Sequence, residues 1–352
     1  MNAVANGSLR VAVVGATGAV GSTMLQVMQE RSFPAAEVVA FASARSAGKT
    51  LDYAGRSLEV RALDEDALQG FDVALFSAGG SVSREWAPRF ADAGCVVVDN
   101  SSAWRMGERV PLVVAEINAH ELDRHEGIVA NPNCSTMQMV MALKPIYDEA
   151  GIERVIVSTY QSTSGTGHNA VEELRGQARS VLDGGEVSGS VYPHQIAFNV
   201  LPQVETFKDG DLYTTEERKM MAETKKILGD DTLAVSPTCV RVPVYAGHSE
   251  AVNVQTKRAL SPERCREILA AFPGIEVVDD PGEGRYPMPI DAAGRDAVLV
   301  GRIRSDPTHE RCLNLWVVAD NLRKGAATNA VQVAEALLER GLVGRARAAA
   351  AG

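Results

Sequence analysis

Cysteine is sparse in this chain of 352 residues, with five examples (Cys95, Cys134, Cys239, Cys265 and Cys312) set far apart. The number is odd, and none forms a CxxC pair or a Cys/His cluster at zinc-finger spacing. A disulfide framework or a metal site is therefore not expected, and a reducing cytoplasm fits best. No run of 18 apolar residues occurs, so no spanning helix is expected. The start, Met1-Asn2-Ala3-Val4-Ala5-Asn6-Gly7, lacks a basic segment followed by an apolar core and does not read as a signal peptide. Positive charge is in deficit: 35 Lys and Arg face 45 Asp and Glu, a formal net charge of -10. Nucleic acid and anionic membrane are thus not expected as partners, although a few local Arg or Lys can still bind a small anion. Aromatic residues are only 5% of the chain, yet apolar residues reach 45%, which excludes disorder.

At roughly 100–200 residues per domain, the length predicts two domains. The first half alternates strands and helices: strand Arg10–Val14, helix Gly18–Glu30, strand Glu37–Ala42, strand Asp72–Ser77, helix Val82–Ala93 and strand Cys95–Asp99. Alternation of this kind predicts right-handed crossovers and a parallel sheet covered on both faces, a doubly wound α/β domain of Rossmann type. A further strand at Ile128–Ala130 leads into a helix reaching about Tyr147. Beyond it, strands at Arg154–Gln161, Val240–Val244, Glu250–Thr256, Ala297–Arg304 and Cys312–Val318 alternate with helices near Asn169–Leu182, Thr215–Leu228 and Pro262–Ala271. This predicts a C-terminal mixed α+β domain with a broad sheet. The boundary is placed at 133: residues 1–133 form the nucleotide domain, completed by a C-terminal helix over 321–345, and residues 134–320 form the second domain.

Gly15-Ala16-Thr17-Gly18-Ala19-Val20-Gly21 follows the first strand and opens the first helix. Glycines here permit a tight turn, and the amides of the helix start can hold a pyrophosphate. GxxGxxG is not the commoner GxGxxG, so a plain glycine turn is the competing reading, and position at the first βα turn favours the nucleotide. The second strand ends without the carboxylate that an NAD ribose usually meets. Ser43, Arg45 and Ser46 stand there instead, donors suited to the 2′-phosphate of NADP, or else members of a solvated loop.

Asn131-Pro132-Asn133-Cys134-Ser135-Thr136 sets a cysteine between a strand and a helix start, a location that lowers a thiol pKa and offers N–H groups to an oxyanion. Taken alone, such a cysteine is more often a small core residue. Arg241-Val242-Pro243-Val244-Tyr245-Ala246-Gly247-His248 places a histidine after a turn glycine, and a cysteine nucleophile needs a base of that kind. The stretch Tyr160–Gly167 (YQSTSGTG) is polar and glycine-rich after an apolar strand, a place for ligand contacts or a simple strand exit.

Together GATGAVG at 15–21, SSAWRM at 101–106, NPNCST at 131–136, YQSTSGTG at 160–167, RVPVYAGHSE at 241–250 and DNLRKGAA at 320–327 resemble the aspartate-β-semialdehyde dehydrogenase family over almost the whole chain. The resemblance implies NADPH-dependent reductive dephosphorylation of L-aspartyl-4-phosphate to L-aspartate-4-semialdehyde, with release of inorganic phosphate. It implies a step in lysine (through diaminopimelate), threonine, methionine and isoleucine biosynthesis, and a cytoplasmic homodimer of two-domain subunits. It further implies that Cys134 forms a thioester, that His248 is the general acid/base and that Gln161 orients the acyl group. Arg241 would clamp the substrate carboxylate, Glu216 the ammonium, and Arg105 and Lys219 the phosphate, with Asn133 also at the substrate. Gly15, Thr17, Gly18, Ala19, Val20, Ser43, Arg45 and Ser46 would hold the nucleotide, and Ser164, Gly165 and Asn321 its nicotinamide half. Glu217 and Arg218 are rivals to Glu216 and Lys219 for one face of their helix.

Two related dehydrogenases compete. N-acetyl-γ-glutamyl-phosphate reductases carry GCYPT or GCYAT around the cysteine, and glyceraldehyde-3-phosphate dehydrogenases carry SCTTN with an acidic residue after the second strand. This chain has PNCST and no such acid. A catalytically dead scaffold paralogue would be expected to have lost Cys134 or His248, and both are present.

Overall fold

The computed structural model describes residues 9–65 and 68–344. The opening heptapeptide and residue 345 lie outside the described residues. In chain order the elements are β1 (Leu9–Val14), α1 (Ala19–Glu30), β2 (Ala35–Ala42), β3 (Thr50–Tyr53), β4 (Arg56–Ala62), β5 (Val73–Phe76), α2 (Gly80–Asp92), β6 (Val96–Asp99), α3 (Ala115–Asn118) and β7 (Ile128–Ala130). Then follow α4 (Cys134–Ala150), β8 (Ile152–Gln161), α5 (His168–Leu182), α6 (Thr215–Leu228), β9 (Ala234–Arg241), β10 (His248–Thr256), α7 (Pro262–Ala271), β11 (Ile275–Val277), α8 (Pro289–Ala292), β12 (Val298–Ser305), β13 (Cys312–Ala319) and α9 (Thr328–Glu339). They form two compact units, Met1–Asn133 with Ala326–Gly352, and Cys134–Gly325.

The first unit is a seven-stranded sheet in the order β3-β4-β2-β1-β5-β6-β7. All its neighbours are parallel except the β3–β4 hairpin. Its central strands are near-continuous Val, Ala, Leu and Phe, as strands buried on both faces must be. On one face Met24, Leu25 and Met28 of α1 meet Val331, Ala334 and Leu337 of α9. On the other, Phe41, Phe71, Phe76 and Phe90 cluster around α2, with the Phe76 and Phe90 rings edge to face at 5.4 Å. The β3–β4 hairpin was not anticipated. Its two-residue turn has positive φ at Ala54 (53°) and Gly55 (71°), the hairpin geometry that matches strand twist.

The turn after β1 is built on close backbone approach. Gly15 has φ 87°, and a Cβ there would stand 2.6 Å from the Ser77 carbonyl oxygen. A Cβ on Gly21 would stand 2.1 Å from the Gly15 oxygen, so α1 can start this tightly only with glycine at that position. Gly18 is the N-cap and brings no capping side chain, which leaves first-turn amides of α1 for an outside acceptor.

The second unit is a six-stranded mixed sheet in the order β11-β12-β13-β10-β8-β9. The helices α4, α6 and α7 pack over one face. The opposite face carries Ile156, Ser158, Tyr160, Asn253 and Trp316, exposed or half-buried, with the Tyr160 and Trp316 rings 5.4 Å apart. Three expectations are corrected. The strand expected at Val240–Val244 is β9, Ala234–Arg241, because Pro243 cannot donate to a ladder and the chain leaves the sheet there. Seven residues apart around one turn, Arg241 and His248 are expected on adjacent strands, but β8 runs between β9 and β10. The last helix does not start at Asn321: a π-helical turn spans Arg323–Ala327, and α9 follows.

Gly21→Ala is expected to destabilise the protein by about 1–3 kcal/mol, seen as a lower denaturation midpoint. Gly18→Ala, whose Cβ would lie 3.3 Å from the Gly15 oxygen, should cost clearly less. Equal shifts in the two variants would contradict this account of the turn.

Candidate active site

At one end of the second sheet a row of polar side chains crosses the face beneath α4. Arg241 ends β9 and is in register with Gln161, the last residue of β8. His248 starts β10, one step beyond the Ser249–Tyr160 pair. Cys134 starts α4, and its Sγ lies 3.3 Å from His248 Nε2. A cysteine at a helix N-terminus and a histidine at a strand start are thus brought into contact by regular elements on both sides.

His248 is fully buried, and the backbone N–H of Ser162 donates to its Nδ1 at 3.1 Å. A backbone N–H can only donate, so Nδ1 is the acceptor and the proton of the neutral ring sits on Nε2, facing the sulfur. Burial first, and then the charge of Arg241, push the imidazole down to about 3, against a smaller opposing effect of Glu216. The ring is therefore neutral at physiological pH. Ser162 Oγ lies 3.1 Å from Nδ1 and donates to Asn321 Oδ1 at 3.0 Å.

Arg241 is buried, with Nη1 donating to the Ser162 carbonyl at 2.6 Å, while its Nε makes no hydrogen bond. Gly165 closes over the same spot: a Cβ there would touch Arg241 Nη1 at 3.2 Å and His248 Nε2 at 3.3 Å. Gly325 does likewise behind the nucleophile, where a Cβ would stand 2.9 Å from that of Cys134.

α6 supplies the charges at the other side of the row. Glu216 Oε1 accepts from Ser135 Oγ at 2.8 Å and from Gln161 Nε2 at 2.9 Å, and its Oε2 lies 3.6 Å from Lys219 Nζ. Gln161 Nε2 also reaches Thr159 Oγ1 at 3.3 Å. Lys219 pairs with Glu205 as well. The rivals on this helix are engaged elsewhere: Glu217 closes a capping box with Thr214, and Arg218 pairs with Asp211.

The remaining expected site residues divide between the units. In the first unit, Arg105 donates from Nε to the Asn131 carbonyl at 3.0 Å and from Nη2 to the Asn100 carbonyl at 2.7 Å. Asn133 is buried at the end of that unit. Thr17, Gly18, Ser43 and Arg45 are exposed, and Gly15, Ala19, Val20 and Ser46 are half-buried around the β1 and β2 ends. In the second unit, Asn321 and Ser164 bond each other, Nδ2 donating to Oγ at 3.0 Å, and Asn321 Oδ1 also accepts from Gly247 N at 3.0 Å. Their side chains thus brace the loops flanking His248. Ser135, Ser162, Gln138 and Gly325 belong to the site and were not anticipated. Ser135, Ser162 and Gly325 lie inside the motifs at 131–136, 160–167 and 320–327, and Gln138 lies outside them; Ser162 contributes a backbone N–H, which no side-chain pattern announces.

Cys134 stands apart from the other thiols. Cys95, Cys239, Cys265 and Cys312 are buried, and burial pushes Cys265 up to about 12 and raises Cys239 and Cys312 as well. Among the described residues no group of three or more His, Cys, Asp or Glu is placed to hold a metal ion. No described helix is long and apolar enough to cross a membrane.

Residues 10–125 match the semialdehyde dehydrogenase NAD binding domain, and residues 143–324 match the semialdehyde dehydrogenase dimerisation domain. The chain is 56% identical over 338 residues to an aspartate-semialdehyde dehydrogenase of Aquifex aeolicus, covering 95% of this chain and 99% of that protein. The crystal structure of aspartate semialdehyde dehydrogenase II from Vibrio cholerae, complexed with ASA, superposes with a TM-score of 0.92 at 49% identity, covering 94% of this chain and 98% of that one. The Candida albicans aspartate semialdehyde dehydrogenase with NADP has a TM-score of 0.73 at 25% identity, covering 96% and 100% of the two chains. With both domains matched and a relative this similar along nearly its full length, the chain belongs to the aspartate-semialdehyde dehydrogenase family.

Proposed function

We propose that the chain reduces L-aspartyl-4-phosphate to L-aspartate-4-semialdehyde through a thioester on Cys134, with NADPH as reductant. The observation that carries this reading is the 3.3 Å contact between Cys134 Sγ and His248 Nε2 at the start of α4. The helix end and the Nε2–H both favour a sulfur anion, so the thiol proton is given to solvent and His248 keeps its own. His248 then serves the acid side of the role expected for it, donating a hydrogen bond to sulfur as it arrives and as it leaves.

Sulfur attacks the acyl carbon, the bond from carbon to the phosphate oxygen breaks, and phosphate departs with the electron pair. Phosphate also takes up the proton that the overall reaction consumes. Amides at the α4 start would stabilise the oxyanion. Arg241 presents its Nε side to the substrate carboxylate as a two-pronged clamp, since Nη1 is held by Ser162. Glu216 takes the ammonium on Oε2 while Ser135 and Gln161 hold Oε1. With its Nε2 so engaged, Gln161 orients the substrate through Oε1. Lys219 and Arg105 take the phosphate, and Asn133 borders the substrate.

The cofactor, when bound, supplies hydride to the thioester carbon, and collapse of the thiohemiacetal returns the aldehyde and the sulfur anion. The uncapped amides of α1, with Gly15, Thr17, Gly18, Ala19 and Val20, fit a pyrophosphate. The turn with exposed Ser43 and Arg45 and half-buried Ser46 fits a 2′-phosphate, which supports NADP, as does the NADP named with the Candida albicans relative. Ser164, Gly165 and Asn321 serve the nicotinamide half. We further read the sheet face bearing Tyr160 and Trp316 as the surface joining two copies into a homodimer, supported by the dimerisation domain match. A cytoplasmic place in lysine, threonine, methionine and isoleucine biosynthesis accompanies this activity.

Mixing the protein with aspartyl phosphate in the absence of NADPH should leave an acyl adduct on Cys134, read by peptide mass spectrometry. Full activity in Cys134→Ala, or the adduct on another cysteine, would overturn the mechanism. Arg241→Lys should lose about ten- to a hundredfold in kcat/KM, because a point-charge ammonium cannot replace a guanidinium fork worth roughly 1.5–3 kcal/mol. Near-parental kinetics in a folded Lys variant would contradict the clamp. Combining Ser43→Asp with Arg45→Ala should weaken NADPH use far more than NADH use, and equal losses would count against the 2′-phosphate assignment.

A further inference from the structure

One rung behind the catalytic row, on the same face, stands a second row: Cys239 of β9, Thr159 of β8, Glu250 of β10 and Val317 of β13, paired in register. Two residues along a strand span about 6.5–7 Å, so Glu250 lies directly behind His248. Nothing in the chemistry above uses it. Glu250 is fully buried, and neither carboxyl oxygen receives a hydrogen bond. An ionised carboxylate in such a place needs a cation, and among the described residues the groups facing it bring none. They are Gln138 from α4, the Glu216 carboxylate from α6, the Cys239 thiol from β9 and Thr159 from β8. Arg241, in the row ahead, is turned to the Ser162 carbonyl.

Gln138 supplies the second half of the observation. It lies one helical turn beyond Cys134 and donates from Nε2 to the His248 carbonyl at 3.3 Å. That bond fixes which way the amide points and leaves Oε1 buried with no donor. An amide oxygen and a carboxylate can only accept, whereas a carboxylic acid provides the missing donor. We propose that Glu250 stays a neutral carboxylic acid whose O–H is given to Gln138, so that the two form a positioning pair tying the first turn of α4, and with it Cys134, to the backbone of His248. Burial, reinforced by the Glu216 charge and opposed by the Gln138 amide, holds the Glu250 proton far into the alkaline direction. The proposal rests on Cys134 and His248 being the reacting pair.

The decisive measurement is the infrared difference spectrum of the parental protein minus Glu250→Gln at pH 8. It should show a protonated carboxyl band, and a carboxylate band in its place would overturn the assignment. Linkage gives a second reading. The acid is neutral when folded and ionised when unfolded above its ordinary value of 4.5, so the parent loses stability as pH rises above that point. The Tm of Glu250→Gln relative to the parent should therefore climb from pH 4.5 to pH 8, and a flat difference would contradict the proposal. In kinetics, Glu250→Leu should lose about tenfold in kcat at little changed KM, and Glu250→Gln, which keeps a neutral donor, should recover most of it with the parental pH profile. Equal kcat in the Leu and Gln variants would refute the positioning role. Where Glu250→Leu does not fold, the infrared and Tm readings still decide. Failure of the underlying reading shows separately, as activity retained in Cys134→Ala.

Discussion

Ser162 donates its backbone N–H to His248 Nδ1 across 3.1 Å, and that contact decides what the ring offers to Cys134. With Nδ1 occupied as an acceptor, the sulfur meets a donor. The rest of the site keeps that amide in place. Thr163 N and Ser164 N bond the carbonyls of Val244 and Tyr245, and Asn321 gathers Ser162, Ser164 and Gly247 around one oxygen. The loop after β8 and the loop before β10 are thereby stitched together beside the imidazole.

Electrostatics in the row follow from burial. One cation, Arg241, and one anion, Glu216, flank a ring that cannot easily charge, because protonating it would add a second buried positive group beside Arg241. Glu216 is tolerated at that depth because Ser135, Gln161 and Lys219 supply hydrogen bonds and counter-charge. Glu216 is thus matched locally, Arg241 is held by the Ser162 carbonyl alone, and the neutral imidazole sits where the two fields meet.

Much of this was legible in the sequence because the informative signals were local. The β1–α1 glycine turn, the strands of the nucleotide unit and α6 and α7, expected over Thr215–Leu228 and Pro262–Ala271, all follow short-range rules of periodicity and capping. The joining of Cys134, Gln161, Arg241 and His248 came from motif resemblance, and the structure brings these four to one place. What was illegible depended on pairing at long range. The β3–β4 hairpin is polar on its open side and short, so it carried no apolar run to mark it. The apolar residues around Pro243 mimicked a strand that β9 actually completes before them, at Arg241. The resemblance assigns Asn321 and Ser164 to a ligand, and in the structure their side chains bond each other and neighbouring loops. Polarity in sequence marks a group that needs a partner without saying whether the partner is protein or ligand.

The placement of Gln161 between Arg241 and His248 has a consequence for substrate length. Ladder pairing holds the Arg241 and Gln161 backbones, and a helix lying on the same sheet holds that of Cys134, so backbone geometry sets how far apart the two side chains are anchored. On the proposed reading, a homologous acid with one more methylene between its carboxylate and its reacting carbon has to be met by a different Arg241 rotamer. The sheet therefore acts as a ruler for the anchor points, and a change beyond the reach of side-chain rotation would require moving whole elements.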